Sequence, residues 1–165
     1  MHITYAPKGI LQIDGARIAW RNFAGKKKMY NDEGDRNFIL VIPDEKTADE
    51  LTERGWNVRV NPPRDENDSP FIYLKVKIGY YDNGRGPAAY LVTNDRQTEL
   101  NADTIGILDN IDIMSVDLDI RPHDWNRPDG RSGRSAWLQA IRVTQKVDRF
   151  ARDNFGNDEE GLPFN

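Results

Sequence analysis

Basic and aromatic residues alternate in one early segment of the chain. From Arg17 to Arg36 there are six basic and three acidic residues, with aromatic rings between them. The candidate binding residues here are Arg17, Trp20, Arg21, Phe23, Lys26, Lys27, Lys28, Tyr30, Arg36 and, just beyond, Phe38. Cations that follow a phosphate backbone and flat rings that stack on unpaired bases favour single-stranded nucleic acid as the ligand. The alternative is a solvated basic hairpin with Trp20 and Phe23 in the core.

A second segment, Arg121 to Arg134, repeats this mixture and is predicted to be a long loop between two strands. Its candidate binding residues are Trp125, Arg127, Arg131 and Arg134. Arginine binds phosphate and also stacks on bases, and loops of this length are commonly functional or disordered. The alternative is a flexible hairpin tip with Trp125 packed on the protein body.

A third set of candidates comes from the strand predicted over Phe71 to Tyr81, where apolar and polar residues alternate. In a strand, alternate side chains point to opposite faces of the sheet. One face is therefore expected to enter the core, and the other presents Tyr73, Lys75, Lys77 and Tyr81. This outer face adds rings and cations to the two segments above.

The same alternation recurs along the chain and predicts a mainly β protein. Further strands are predicted at Ile10–Arg21, Asn37–Ile42, Ala88–Thr93, Asn110–Arg121 and Ser135–Val147, and loops at Asn61–Pro70, Asp82–Pro87 and Gln97–Thr104. The apolar parity changes near Met114 and Ser115, which indicates a β-bulge. One short helix is expected over Glu45–Arg54, between an Asp44 cap and a Gly55 stop.

These elements predict an OB-like barrel of five antiparallel strands with an extra β-hairpin and one short helix. The expected organisation is an OB-fold domain over residues 1–152 and a flexible acidic tail over 153–165. In an OB barrel, nucleic acid crosses the second and third strands, between the loop that joins strands one and two and the loop that joins strands four and five. We therefore expect both basic aromatic segments and the lysine-bearing face to line one groove.

The tail from Asp153 to Asn165 has four acidic residues and no lysine or arginine. Its tip residues are Asp158, Glu159, Glu160, Leu162, Pro163 and Phe164, followed by Asn165. This tip resembles the acidic tails of bacterial single-stranded-DNA-binding proteins, which end in Pro-Phe; here Asn165 follows the phenylalanine. The resemblance implies recruitment of replication and recombination proteins. The alternative is an acidic terminus kept for solubility.

The body of the chain also resembles the small single-stranded-DNA-binding proteins of phage genomes. The resemblance rests on Arg21 to Gly25, Arg36 to Phe38, Leu108 to Asn110 and Ile120 to Trp125. It implies an OB fold, sequence-tolerant binding of single strands and a role in replication or recombination. The lack of cysteine favours a location in the cytoplasm, which for a phage protein is that of the bacterial host.

We expect no catalytic residues, cofactor or bound metal. The chain has no cysteine and a net charge of −4, and it lacks a phosphate-binding loop motif. Two alternatives stay open: a small Mg²⁺-dependent nuclease or junction resolvase using Asp117 and Asp119, and a protein-binding adaptor without a nucleic-acid role. No membrane segment is expected. The oligomeric state, a homo-oligomer included, is left open.

Overall fold

The computed structural model describes residues 1–147, and within them the chain is mainly β. The elements of this range are β1 (His2–Tyr5), β2 (Leu11–Asp14), β3 (Ile18–Asn22), β4 (Arg36–Val41), α1 (Glu45–Glu53), β5 (Arg59–Asn61), β6 (Phe71–Ile78), β7 (Ala88–Thr93), β8 (Arg96–Leu100), β9 (Ile113–Asn126) and β10 (Ser132–Gln145), with short 3₁₀ turns at Pro7–Gly9 and Ile105–Asp109. No helix among these residues is long and apolar enough to cross a membrane.

The strands form one hydrogen-bonded ladder in the order β1-β2-β9-β10-β6-β4-β3. Most neighbours are antiparallel, as predicted, but β10 runs parallel to both β6 and β7. The ladder does not close by strand pairing, so the barrel is open rather than continuous. The two ends of the ladder are nevertheless connected through the chain. Strand β2 pairs with β9 near one end, and β3, which follows β2 after a few residues, pairs with β4 at the other end. This arrangement is the OB-like fold that the sequence predicts.

The first strand predicted over Ile10–Arg21 is divided into two strands, β2 and β3, because the chain bends at Gly15 between them. Gly15 has φ +67°, a conformation that glycine adopts without steric cost. The backbone N–H of Ala16 still donates to the carbonyl of Val116, 2.8 Å away, before the chain turns toward β4. Because of this bend, one segment of the chain supplies β2 near one end of the sheet and β3 at the other end.

The predicted bulge is confirmed on β9. Ser115 pairs with Thr144 and Ile113 with Gln145, so Met114 has no opposite residue. Beyond this point Val116, Leu118 and Ile120 all point into the core. The extra residue therefore accounts for the change of apolar parity in the sequence.

The extra hairpin is formed by β7 and β8, and β7 continues the sheet beyond β6 along β10. The loop predicted over Gln97–Thr104 begins too early, because Arg96–Leu100 is the second strand of this hairpin. Only residues 101–104 form a turn. Four of its five residues are exposed, so a strand at this edge carries almost none of the apolar alternation that would reveal it.

Helix α1 agrees with its prediction to within one residue. The side chain of Asp44 accepts the backbone N–H of Thr47 at 2.7 Å, Ala48 and Leu51 are buried, and Gly55 follows with φ +93°. The core that it covers includes the rings of Phe23 and Phe38, which stack with centroids 5.1 Å apart.

Candidate nucleic-acid interface

The outer face of β6 has the composition that its sequence predicts. Ile72, Leu74, Val76 and Ile78 are buried, whereas Lys75 and Lys77 are exposed and Tyr73 is half-buried. Strand alternation therefore directs the apolar residues into the core and places one ring and two cations, those of Tyr73, Lys75 and Lys77, in a row on the outer face. This row is the floor on which the other candidate residues converge.

The segment from Arg121 to Arg134 is not the predicted loop. Strand β9 continues to Asn126 and β10 begins at Ser132, so most of this segment is a paired β-hairpin. Only the tip turns, and there the backbone N–H of Arg127 donates to the carbonyl of Arg131 at 2.7 Å. The extension is not apparent from the sequence, because a projecting hairpin has polar residues on both faces and so lacks the alternation of apolar and polar residues that predicts a strand.

The hairpin, β6 and the segment after α1 enclose a groove of about 980 Å³, which we call the hairpin groove. It is lined by Gly55, Trp56, Asn57, Arg59, Tyr73, Leu74, Lys75, Lys77, His123, Trp125, Asn126, Arg127, Ser132, Gly133, Arg134, Ser135, Ala136 and Trp137. Of the predicted binding residues, it brings together Tyr73, Lys75, Lys77, Trp125, Arg127 and Arg134.

Trp137 is the main groove residue that the sequence analysis missed. It lies on β10 between the buried residues Ala136 and Leu138, opposite Lys77 of β6 and Arg121 of β9. The Lys77 Nζ and Arg121 Cζ atoms are 5.8 and 5.6 Å from the centroid of its ring. The outward parity of Trp137 was visible in the sequence, but its match with Lys77 depends on a parallel strand pair that local patterning does not reveal.

Trp125 is held in the hairpin by close packing. A Cβ added to Gly133, its cross-strand partner, would come within 2.6 Å of the Trp125 Cζ2 atom, so the ring lies directly against the glycine. The Arg127 Cζ atom lies 5.1 Å from the centroid of the same ring. One cation therefore already accompanies this ring at the edge of the groove.

The loop between β3 and β4 is built on a network of hydrogen bonds at its base. Asp109 accepts the backbone N–H groups of Phe23 and Ala24 at 2.7 and 3.1 Å. Arg21 donates to the carbonyls of Leu108 and Ile111, at 2.7 and 2.8 Å. Arg36 donates to the carbonyl of Phe23 at 2.8 Å. The structural role of Arg21, Arg36 and Asp109 is thus to hold the loop in place.

At the tip of this loop, Lys26, Lys27 and Lys28 are exposed, and Met29 and Tyr30 are exposed to 88% and 94%. The tip borders a second groove of about 450 Å³, which we call the loop groove. It is lined by Met29, Tyr30, Asn31, Asp32, Gly34, Asp35, Arg36, Asn37, Lys75, Lys77, Ile78 and Trp137. The two grooves share Lys75, Lys77 and Trp137, so both basic aromatic segments border one lysine-bearing surface.

Trp20 lies next to this surface rather than in the core. It is 59% exposed and has φ +48°, within an irregular stretch of the β3–β4 pairing. Its ring centroid is 5.4 Å from that of Phe71 and 5.3 Å from that of Tyr73, which lines the hairpin groove. These three rings form an aromatic cluster that extends the groove floor.

Two predicted binding residues are corrected by their burial. Phe23 and Phe38 are 0% exposed and stack on each other in the core, so neither ring can meet a base. Both residues lie at the base of the β3–β4 loop. Core residues and exposed loop residues are adjacent in the sequence there, which is why these two rings stand next to basic residues.

Arg134 and Arg131 are engaged in ion pairs. Arg134 donates to both carboxylate oxygens of Asp124, at 2.7 and 3.1 Å, and to the carbonyl of Arg54 at 3.0 Å. Its guanidinium also lies over the Trp56 ring, so it fastens the hairpin to the barrel. The hydrogen bonds from Arg134 hold the pKa of Asp124 below its usual range. Arg131 pairs with Asp129 at the exposed hairpin tip.

The two remaining candidates are exposed. Arg17 lies in the bend before β3, and its carbonyl accepts the backbone N–H of Val41. Tyr81 is 52% exposed. Its hydroxyl and the ring of Trp137 both pack against Gly79: a Cβ added to this glycine would lie 2.8 Å from the hydroxyl and 3.1 Å from the ring. Tyr81 therefore lies beside Trp137, at the end of the groove floor.

The carboxylates of the nuclease alternative are already engaged or separated from the grooves. Asp117 accepts from Arg142 at 2.9 Å and from the backbone N–H of Gly15 at 3.0 Å, and these bonds lower its pKa. Burial, with a contribution from Asp14, raises the pKa of Asp119. Within residues 1–147, no group of three or more histidine or acidic side chains is arranged to hold a metal ion.

The predicted tail, with its tip residues Asp158, Glu159, Glu160, Leu162, Pro163 and Phe164, lies outside the described residues. The predicted domain end at residue 152 lies outside them as well. Both therefore stay predictions from the sequence.

Comparison with known proteins adds a family and a fold. The family model described as "Putative phage ssDNA-binding domain" matches residues 2–157. The fold is similar to that of the C-terminally truncated single-stranded DNA-binding protein from bacteriophage Enc34, with a TM-score of 0.53 and 14% identity over 87% of this chain and 90% of that chain. The structure of the Enc34 protein in complex with ssDNA gives a TM-score of 0.52 and 14% identity, over 90% and 93% of the two chains. Comparison with curated protein sequences gives no match.

Proposed function

Because the chain belongs to the family of phage ssDNA-binding domains, we propose that it binds single-stranded DNA in the hairpin groove, with little dependence on base sequence. The main support for this proposal is the row Lys77–Trp137–Arg121 across three neighbouring strands. Lys77 and Trp137 line the groove, and Arg121 lies next to Trp137. This row offers a ring for stacking between two cations for phosphates, and such contacts are tolerant of sequence.

The other rings of the groove support the same ligand. Trp125 on β9 and Tyr73 on β6 both line the groove, and the exposed Lys75 lies between Tyr73 and Lys77 along β6. Stacking on such rings contributes about 1 to 3 kcal/mol per base. The groove of about 980 Å³ therefore suits a strand of several nucleotides. It is lined by the rings of Tyr73, Trp125 and Trp137 and by the cations of Lys75, Lys77 and Arg127.

We further propose that the protein protects single strands during phage DNA replication or recombination, in the cytoplasm of the bacterial host. Its acidic tip, with Leu162, Pro163 and Phe164, would recruit partner proteins, since it resembles the tips of bacterial single-stranded-DNA-binding proteins. An acidic segment also competes with DNA for a cationic groove, so deletion of residues 158–165 is expected to leave DNA affinity unchanged or slightly higher.

The test is a titration of fluorescently labelled oligo(dT) and oligo(rU) at two salt concentrations without Mg²⁺, followed by anisotropy. We expect salt-sensitive binding that Trp137→Ala and Trp125→Ala both weaken, whereas Met114→Ala, a change at an exposed site on β9, leaves it intact. No anisotropy change at low salt would overturn the proposal. Strand scission that appears when Mg²⁺ is added, and that a chelator and Asp117→Asn both abolish, would favour the nuclease. A pull-down that depends on Phe164 without any DNA binding would favour the adaptor.

A further inference from the structure

The loop groove has two unlike walls. One wall is the sheet, with Lys75, Lys77 and Trp137, and the other is the tip of the β3–β4 loop, with Met29 and Tyr30. Because the sheet wall is shared with the hairpin groove, a strand that lies along Lys75 and Lys77 can pass from one groove to the other without leaving the protein surface.

The tip exposes two large hydrophobic side chains that are adjacent in the sequence. At 88% and 94%, Met29 and Tyr30 are the most exposed large hydrophobic residues of the described range. Exposed apolar groups that are held in one place are typical of interaction sites. Here the occupant must also suit two lysines and an indole ring on the facing wall.

The backbone of the tip is held by several hydrogen bonds, although its side chains are exposed. Lys28 and Asn31 exchange backbone hydrogen bonds of 2.9 and 3.1 Å around Met29 and Tyr30. The Asn31 side chain donates to the carbonyls of Lys26, Asp32 and Asp35 at 2.9 to 3.0 Å and accepts from Asn37 at 2.8 Å. The backbone of such a tip therefore loses little conformational entropy when it binds a ligand.

The charges of the loop groove also orient a strand. Lys75 and Lys77 attract phosphates to the sheet wall, whereas Asp32 and Asp35, on the loop side, repel them. Base edges carry N–H groups that carboxylates can accept from, the ring N3–H of thymine included, so bases are tolerated on the loop side. Phosphates are thus directed toward the lysines and bases toward Met29, Tyr30 and the exposed edge of Trp137.

We propose that the loop groove is a second base-stacking subsite for the same DNA strand, formed by Trp137 and by the tip residues Met29 and Tyr30. This inference rests on the proposed function, because it extends the hairpin groove rather than replacing it. A strand long enough to fill the hairpin groove continues past Trp137 and stacks its next bases on the tip. A shorter strand stays in the hairpin groove and does not reach the tip.

The experiment measures affinity as a function of oligonucleotide length for the wild type and for the double variant Met29→Ser/Tyr30→Ser. Oligo(dT) of about 4 to about 16 nucleotides covers the range of one OB fold. The matched control is Met114→Ser, which removes an apolar side chain that is 65% exposed and lines neither groove. Thermal melting checks that both variants fold as the wild type does.

We expect the double variant to bind the shortest oligonucleotides within about twofold of the wild type and the longest about tenfold or more weakly, the loss appearing only above a threshold length. Unchanged affinity at every length would overturn the second subsite. An equal loss at every length would overturn it too, since the tip would then belong to a single site. If the wild type bound no oligonucleotide at all, the proposed function itself would fail.

Discussion

The indole ring of Trp125 packs against the bare backbone of Gly133, where an added Cβ would lie 2.6 Å from Cζ2 and 2.9 Å from Cε2. The two residues are cross-strand partners in the β9–β10 hairpin. Only glycine leaves room for the ring in this orientation. The orientation of Trp125 in the groove therefore depends on the absence of a side chain at position 133.

Gly133→Ala is therefore expected to weaken DNA binding by displacing Trp125. Because the ring has to move, we expect a loss close to that of Trp125→Ala, about 1 to 3 kcal/mol. A double-mutant cycle measured by oligo(dT) anisotropy tests this mechanism. Strong non-additivity is expected, since the glycine acts through the ring, and additive losses would contradict that explanation.

Substitutions of Trp20 are expected to affect DNA affinity and protein stability in different ways. Its φ of +48° is unfavourable for any residue with a Cβ, and the strain is commonly about 1 to 2 kcal/mol. Trp20→Gly and Trp20→Ala both remove the ring from its cluster with Phe71 and Tyr73, so both should lose a similar amount of DNA affinity.

The two variants should nevertheless differ in stability. Glycine relieves the backbone strain and alanine does not, so Trp20→Gly is expected to be about 1 kcal/mol more stable than Trp20→Ala in urea unfolding. Equal unfolding midpoints would show that position 20 carries no such strain.

The sequence predicted best where local alternation is strong. Strand β7 and helix α1 match their predicted bounds to within one residue, and the bulge at Met114 was visible as a change of apolar parity. Each of these features depends on neighbours within a few positions. The OB-like fold class followed from such segments, whereas the parallel pairs of β10 did not.

What the sequence did not reveal depends on partners distant in the chain. Trp137 meets Lys77 only through a parallel pair between β10 and β6, and Arg134 is fastened by Asp124 and the carbonyl of Arg54. The burial of Phe23 and Phe38 follows from their mutual stacking across the β3–β4 loop. Composition alone could not distinguish these core rings from the exposed ring of Trp20.

The corrected roles of Phe23 and Phe38 predict a stability effect. Removing either ring leaves a cavity in the core, so Phe23→Ala and Phe38→Ala should each cost about 3 to 5 kcal/mol of unfolding free energy. The milder Phe38→Leu keeps the domain folded, and its DNA affinity per folded molecule is expected to equal that of the wild type. A folded Phe38→Leu variant with clearly weaker binding would restore the stacking role that the structure removes.

The lysines on the groove floor predict a change in salt dependence. Lys75→Gln and Lys77→Gln should each lower the slope of log affinity against log salt by about 0.7, the value for one phosphate contact on a single strand. Lys46→Gln, in the first turn of α1 and in neither groove, is the matched control and should leave the slope unchanged. The measurement is oligo(dT) affinity at four or more salt concentrations, and an unchanged slope in both floor variants would mean that phosphates do not lie there.

The Asp124–Arg134 pair predicts how acid affects the hairpin. Because Arg134 lowers the pKa of Asp124 in the folded protein, the ionised pair stabilises the fold above the usual aspartate range, near pH 4, and this contribution is lost as the pH falls through the lowered pKa. Asp124→Asn removes the titration, so the variant should be less stable than the wild type at pH 7 and approach it at about pH 2. Melting temperatures of both proteins from pH 7 to pH 2 test this, and curves that stay parallel over the whole range would show that the pair does not couple protonation to folding.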